Sequence, residues 1–251
     1  EGESFACLDA MLEVGIDFID TANIYGMGVS ETVLGKWLAS RKPQVVIATK
    51  ASFVADPVRR VDNSEAHLRA ELEASLRRMG RDHVELFYIH RREAARPLEE
   101  VIGTLSRLIE EGKIGGYGLS EVAPYTLRAA HAIHPCRAVQ NEYSLLCRLY
   151  DTDMAETSVM EDITLLSFSP LAAGLLTGKY QNGAIPEGSR MSLNGNLGGR
   201  KSDRVFPAVQ AYLDVAARHG LDPVHMAIAW QRSRPFPIAA IFGATTSAQL
   251  Q

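Results

Sequence analysis

Four proton-active side chains close successive apolar runs early in the chain. Asp20 and Tyr25 lie in DFIDTANIYG (17–26), Lys50 ends QVVIATK (44–50) and His90 ends ELFYIH (85–90). A phenol titrates near pH 10 and is a poor acid at neutrality. A cation beside it favours the phenolate, so a lysine held by a carboxylate would make it usable as an acid or a base. Each residue taken singly has an ordinary structural role: Asp20 a helix cap, Tyr25 a packing residue, Lys50 a solvated charge, His90 a hydrogen-bonded imidazole. Their joint occurrence at three strand ends points to chemistry.

The elements that must position them follow from periodicity. Residues 17–22 alternate as a half-buried strand, and 44–50 and 85–90 are apolar enough to be buried on both faces. IGGYGLS (114–120), RAVQNEYS (137–144), ITLLSFSP (163–170) and IAAIFGAT (238–245) read as four further strands. Between them lie helical patterns. Phe5, Leu8, Met11 and Leu12 share a face over 4–14, with Gly15 as the stop; Ser30 suits the cap of a helix over 31–40. Leu68, Leu72, Leu76 and Met79 form one stripe, and Leu98, Val101, Ile102, Leu105, Leu108 and Ile109 form another. Helices are also expected at 124–132, 153–161 and 205–219, and Asp222-Pro223 opens one through about 233. Seven strands alternating with helices imply a parallel sheet in an α/β fold. Polar candidates after many different strands favour a (β/α)8 TIM barrel over an open sheet with a single switch point. GMGVSE (26–31) begins G-x-G but lacks the remaining glycines of a dinucleotide fingerprint. Residues 181–203, rich in Gly, Asn and Ser, have no period and form an unusually long loop whose Arg190, Arg200 and Lys201 suit a phosphate-bearing ligand.

Composition narrows the function classes. The 251 residues are 46% hydrophobic and 22% charged, with a net charge of −4 and scattered Lys and Arg. That profile gives no nucleic-acid face, and no run reaches the roughly 18 apolar residues of a membrane span. Cys7, Cys136 and Cys147 lack C-x-x-C spacing and suggest reduced thiols in a cytoplasmic protein. HAIHPC (131–136) offers two His and a Cys, but Pro135 and the lack of a fourth ligand argue against metal. The chain reads as one domain over 1–251 with ends that look cut.

DTANIYG, ATK and YIH together resemble the aldo-keto reductase family of NADP-dependent carbonyl reductases on a (β/α)8 barrel. GKIGGYGLSE, VQNEYSLL, SFSPLAAGLLTGKY and FGATTSAQL resemble its later motifs in order, over nearly the whole chain. The long SPLAAGLLTGKY form resembles the branch that includes Tas-like reductases and potassium-channel β-subunits. The resemblance implies a catalytic set of Asp20, Tyr25, Lys50 and His90. Tyr25 would give a proton to the carbonyl oxygen as hydride leaves the nicotinamide, Lys50 paired with Asp20 would assist Tyr25, and His90 would hold the oxygen. Ser120 and Gln140 match nicotinamide carboxamide contacts and Phe168 the ring stacked on the nicotinamide. Ser169, Leu171 and Lys179 match pyrophosphate contacts, Arg190 a contact from the long loop, and Gly243, Thr245 and Gln249 the adenosine end. Two positions depart from the family pattern: Glu121 stands where many members have Asn, and Thr246 where Arg or Lys grips a 2′-phosphate. The expected cofactor is NADPH, with NADH the alternative raised by Thr246, and the partner a small-molecule carbonyl compound. Carbonyl reduction competes with two other functions: a non-catalytic nicotinamide-binding regulatory subunit, and a Schiff-base aldolase using Lys50 as nucleophile. Neither the carbonyl compound nor an oligomeric state is written in the residues.

Overall fold

A computed structural model describes residues 1–56, 58 and 60–250. Among them, seven strands alternate with nine α-helices, and the chain divides into two compact units. The first unit comprises Glu1–Val139 and Gly243–Gln251; the second is Gln140–Phe242.

In the first unit, α1 (Gly2–Glu13) precedes β1 (Phe18–Asp20), α2 (Val29–Arg41), β2 (Val46–Ala51) and α3 (Glu65–Met79). Then come β3 (Leu86–Ile89), α4 (Leu98–Glu110), β4 (Tyr117–Ser120) and α5 (Pro124–Ile133). Strands β1 to β4 pair in chain order and all in parallel, with Asp20 opposite Ala48, Lys50 opposite Tyr88 and Ile89 opposite Leu119. Parallel strands need a crossover helix each, which the α2, α3 and α4 patterns supply. Those helices bury the stripes expected of them: Leu68, Leu72, Leu76 and Met79 on α3, and Val101, Ile102, Leu105 and Leu108 on α4. Strand β3 is buried throughout, whereas β2 begins at an exposed Val46.

One helix start differs from expectation for a local reason. Ser30 is not a cap: α2 begins two residues earlier than expected, at Val29 after Gly28 in the left-handed region (φ 89), and the Ser30 hydroxyl bonds Thr21 Oγ1 at 2.9 Å. The helix α3 starts at Glu65 because Ser64 caps it, accepting from the His67 N–H. Gly35 of α2 lies so close to α3 that an added Cβ would stand 2.4 Å from the Arg78 carbonyl oxygen.

Strand β5 (Ala138–Gln140) leads into the second unit, where α6 (Met154–Met160), β6 (Thr164–Ser167), α7 (Arg190–Asn194), α8 (Val205–Arg218), α9 (Pro223–Arg232) and β7 (Ile238–Ala240) follow. Strands β6 and β7 pair in parallel, Leu165 opposite Ile238. Asp222 caps α9 by accepting from the Val224 and His225 N–H groups, with Pro223 in the first turn as its sequence suggests. The strand expected at 137–144 ends at Gln140; beyond it Glu142 makes only an isolated bridge to Phe168.

Residues 181–203 are more ordered than a period-free loop. Ser189 caps the short α7, and Met191 and Leu197 are buried with Leu175, Leu176, Tyr180, Val209 and Ala227 in the apolar core of the second unit. Arg200 forms a two-pronged pair with Glu142, its Nε and one terminal nitrogen each 2.8 Å from a carboxylate oxygen. Two buried apolar side chains and one bidentate ion pair fasten the segment where composition alone suggested a long loop.

Candidate active site

Asp20, Tyr25, Lys50 and His90 all fall in the first unit. Three parallel strands in register carry Asp20, Lys50 and His90: β1 ends with Asp20, β2 one residue after Lys50, and β3 just before His90, while Tyr25 opens the short turn Tyr25–Gly28. Alternation along β2 sends Lys50 to one face and Thr49 to the other.

The Lys50 ammonium is fully buried, and its three donors have three acceptors. It donates to Asp20 Oδ2 at 2.5 Å, to the Thr21 carbonyl at 2.8 Å and to the Tyr25 hydroxyl oxygen at 3.3 Å. Since Lys50 donates to that oxygen, the hydrogen of the phenol is left to point elsewhere. Tyr25 itself is 38% exposed, while its partner Lys50 stays dry. The ammonium also lies 4.8 Å from the centre of the Tyr25 ring. A side chain buried in this way, with all three N–H donors engaged, has no approach path for attack on a carbonyl, which argues against the Schiff-base alternative.

The His90 ring meets the edges of two aromatic rings, Tyr25 at 5.9 Å and Phe53 at 5.1 Å between centroids. Its Nδ1 is buried with no hydrogen-bond partner among the described residues. Burial, and then the positive charges of Lys50 and Arg91, lower its pKa from the ordinary 6.5 to about 4. The imidazole is therefore neutral at physiological pH and can donate from one nitrogen to an oxygen without carrying charge.

That depressed pKa makes a stability prediction. Between pH 6.5 and 4 the unfolded chain protonates His90 and the folded chain does not, so stability falls as pH falls through that window. The loss reaches about 2–3 kcal/mol near pH 4. Urea unfolding between pH 4 and 7 should show a steeper acid-side decline in the wild type than in His90→Gln; equal slopes would disprove the assignment.

The residues matched to cofactor contacts are distributed over both units. Ser120 ends β4 and is buried, and Gly243, Thr245 and Gln249 are exposed on the returning segment of the first unit, where Gln249 accepts from the Thr245 N–H at 2.8 Å. A Cβ at Gly243 would meet nothing within 4 Å, so packing alone does not require glycine there. In the second unit Gln140 ends β5, buried, and half-buried Phe168, Ser169 and Leu171 follow β6. Lys179 and Arg190 are exposed cations.

The turn after β6 is unusual. Ser169, Ala172 and Ala173 all hold positive φ (55°, 49° and 59°), followed by Gly174 at 91°, where an added Cβ would meet Lys179 Cε at 2.9 Å. Left-handed non-glycine residues cost about 1–3 kcal/mol each and cluster at ligand clamps. A strained turn with a lysine folded along it, followed by an exposed arginine, suits a phosphate-bearing group. Each unit has a buried strand end with a polar side chain, Ser120 in the first and Gln140 in the second. Taken separately, these donor types are ones that a nicotinamide dinucleotide can use.

Three features escaped the sequence reading. Arg91 pairs with Glu121, the residue that departs from the family pattern, and Glu121 holds φ 51°. Phe53, from the loop after β2, packs on His90. Glu31 is a fully buried carboxylate that had no reason to be singled out. The alternation of β2 was the available signal for the last of these, since it turns Thr49 towards the helices. Of the HAIHPC residues, His131 Nδ1 accepts from the Cys136 N–H at 3.2 Å, so it finishes α5.

Comparison with known proteins identifies the family and the fold. A model of the aldo/keto reductase family matches residues 1–251. Protein tas of Escherichia coli strain K12 and Protein tas of Shigella flexneri are each 33% identical, over 100% of this chain and 83% of theirs. The structure of a glycerol dehydrogenase from Gluconobacter oxydans superposes with a TM-score of 0.86 at 26% identity, covering 99% of this chain and 78% of that one.

Proposed function

The chain belongs to the aldo/keto reductase family and is an NAD(P)H-dependent oxidoreductase with the α/β barrel class of fold; from that premise we propose that it reduces an aldehyde or ketone to the alcohol, with NADPH as hydride source and Tyr25 as proton donor. The observation that carries the reading is the fully buried Lys50 ammonium, shared between the Asp20 carboxylate and the Tyr25 hydroxyl oxygen.

A nicotinamide dinucleotide held by these residues would supply the hydride for the carbonyl carbon. As negative charge grows on the carbonyl oxygen, Tyr25 releases its proton to it, and the phenolate left behind faces the Lys50 ammonium at 3.3 Å. Asp20 holds that ammonium in place and balances its charge. Neutral His90 donates to the same oxygen and fixes its position, as an oxyanion-hole donor does. Run backwards, the same groups take a proton from an alcohol, the direction named by the dehydrogenase to which this chain is similar. Ser120 and Gln140 would bind the carboxamide, Phe168 would stack on the ring, and Ser169, Leu171, Lys179 and Arg190 would receive the phosphates. Gly243, Thr245 and Gln249 would receive the adenosine end. Lys179 and Arg190 favour NADPH, although Thr246 offers no cation to a 2′-phosphate.

Titrating the protein with NADPH and NADH, followed by nucleotide fluorescence, and then adding 4-nitrobenzaldehyde tests the reading. Tighter NADPH binding followed by nucleotide oxidation is expected. Binding without oxidation would favour a regulatory nicotinamide-binding role, and no binding would refute the assignment.

A further inference from the structure

Tyr25 sits on a turn that its own packing does not hold. Gly26, Met27 and Gly28 all have positive φ (57°, 53° and 89°), and Met27 is 95% exposed, with Ile24 and Val29 exposed beside it. So little buried apolar surface cannot fix the turn, which leaves polar anchors. One lies immediately after it. Glu31, in the first turn of α2, is 0% exposed and accepts from Thr49 Oγ1 at 2.5 Å and from Arg78 Nε at 2.7 Å.

These two donors tie together the parts that must meet. Thr49 is the residue before Lys50 on β2, facing the opposite way. Arg78, on α3, also donates to Ser75 Oγ at 3.1 Å. Its stem packs on Gly28, where an added Cβ would stand 2.9 Å from Arg78 Cδ. On the same short segment Thr32 Oγ1 donates to the Gly28 carbonyl at 2.9 Å. One carboxylate therefore clamps the start of α2, and with it the Tyr25 turn, to the back of the strand that presents Lys50. A buried ion pair is weak evidence for stability, because desolvating both charges offsets their attraction. Its value lies in geometry.

We propose that Glu31, through Thr49 and Arg78, is a positioning residue that sets the distance between the Tyr25 hydroxyl and the Lys50 ammonium. The inference rests on the carbonyl-reductase reading for its effect on rate, and on structure alone for its effect on geometry. Thr49→Val keeps the shape and removes the hydroxyl; Thr49→Ser keeps the hydroxyl.

The test combines crystal structures of the variants with single-turnover oxidation of bound NADPH by 4-nitrobenzaldehyde. Thr49→Val should lengthen the 3.3 Å Tyr25–Lys50 contact. It should also slow the single turnover by about tenfold to a hundredfold, the scale of an ångström-sized misplacement. NADPH affinity and KM should stay within about twofold, and Thr49→Ser should match the wild type. Glu31→Gln, which keeps an acceptor for Thr49 but loses the charge facing Arg78, should fall between them. It also serves as the second variant should Thr49→Val not fold. An unchanged Tyr25–Lys50 distance in Thr49→Val, or in Glu31→Gln where that variant stands in, overturns the proposal. So does a rate loss shared equally by Thr49→Ser. A lengthened distance in an enzyme whose wild type never oxidises NADPH would uphold the positioning and refute the reductase reading instead.

Discussion

Tyr25→Phe is expected to lower the rate of carbonyl reduction by about 10²- to 10⁴-fold, the usual worth of a positioned proton donor. The substitution is clean because the ring remains. The phenyl group left at that position would still lie under the Lys50 ammonium, 4.8 Å from the ring centre in the wild type, and still meet the edge of His90. Lys50 keeps its bonds to Asp20 and the Thr21 carbonyl. Tyr25 is 38% exposed, so little buried surface changes and thermal stability should shift by less than about 1 kcal/mol. NADPH affinity should be unaltered, since Tyr25 is assigned to the reacting oxygen and not to the dinucleotide. Steady-state turnover beside a fluorescence titration separates these effects. A variant that keeps a tenth of the wild-type rate would show that the proton comes from elsewhere.

Lys50→Met should cost more, because it damages both the fold and the chemistry. It removes the ammonium from beside an Asp20 side chain only 7% exposed, and breaking a buried pair by deleting one partner costs about 3–5 kcal/mol. For a chain of this length that corresponds to a fall in Tm of roughly 10 °C. Adding Asp20→Asn removes the uncompensated charge, so the double variant should recover part of the lost stability. Activity should not return, since the phenolate formed at Tyr25 would have no cation facing it. Calorimetry on the two single variants and the double variant, with turnover measured in parallel, reads both. Additive losses of stability would mean that the pair is not coupled; restored activity in the double variant would remove Lys50 from the mechanism.

Much of this was legible in the sequence. Apolar runs ending in Asp20, Lys50 and His90 marked strand ends because a parallel strand buried on both faces must end where polar residues begin, and the register of β1 to β4 brings those ends together. Helix stripes such as Leu68 to Met79 were equally plain. What periodicity could not give was conformation at single residues. Ser30 looks like a cap, yet it is Gly28 that adopts the left-handed backbone from which α2 starts. RAVQNEYS alternates past Gln140, but there Glu142 turns to Arg200, a partner 58 residues away that no local pattern reveals. Ser189 ahead of α7 was a readable cap signal, masked by the surrounding glycines and asparagines. Glu31 was hidden for another reason: a carboxylate at the start of a helix ordinarily faces solvent, and only Thr49 and Arg78 explain its burial.

The split of the chain into units has a consequence for local unfolding. Asp20, Tyr25, Lys50 and His90 and the contacts among them belong to Glu1–Val139, whereas the strained turn at Ser169–Gly174 and the cations Lys179 and Arg190 belong to Gln140–Phe242. Transient opening of the turn would therefore break none of the three hydrogen bonds that hold the Lys50 ammonium.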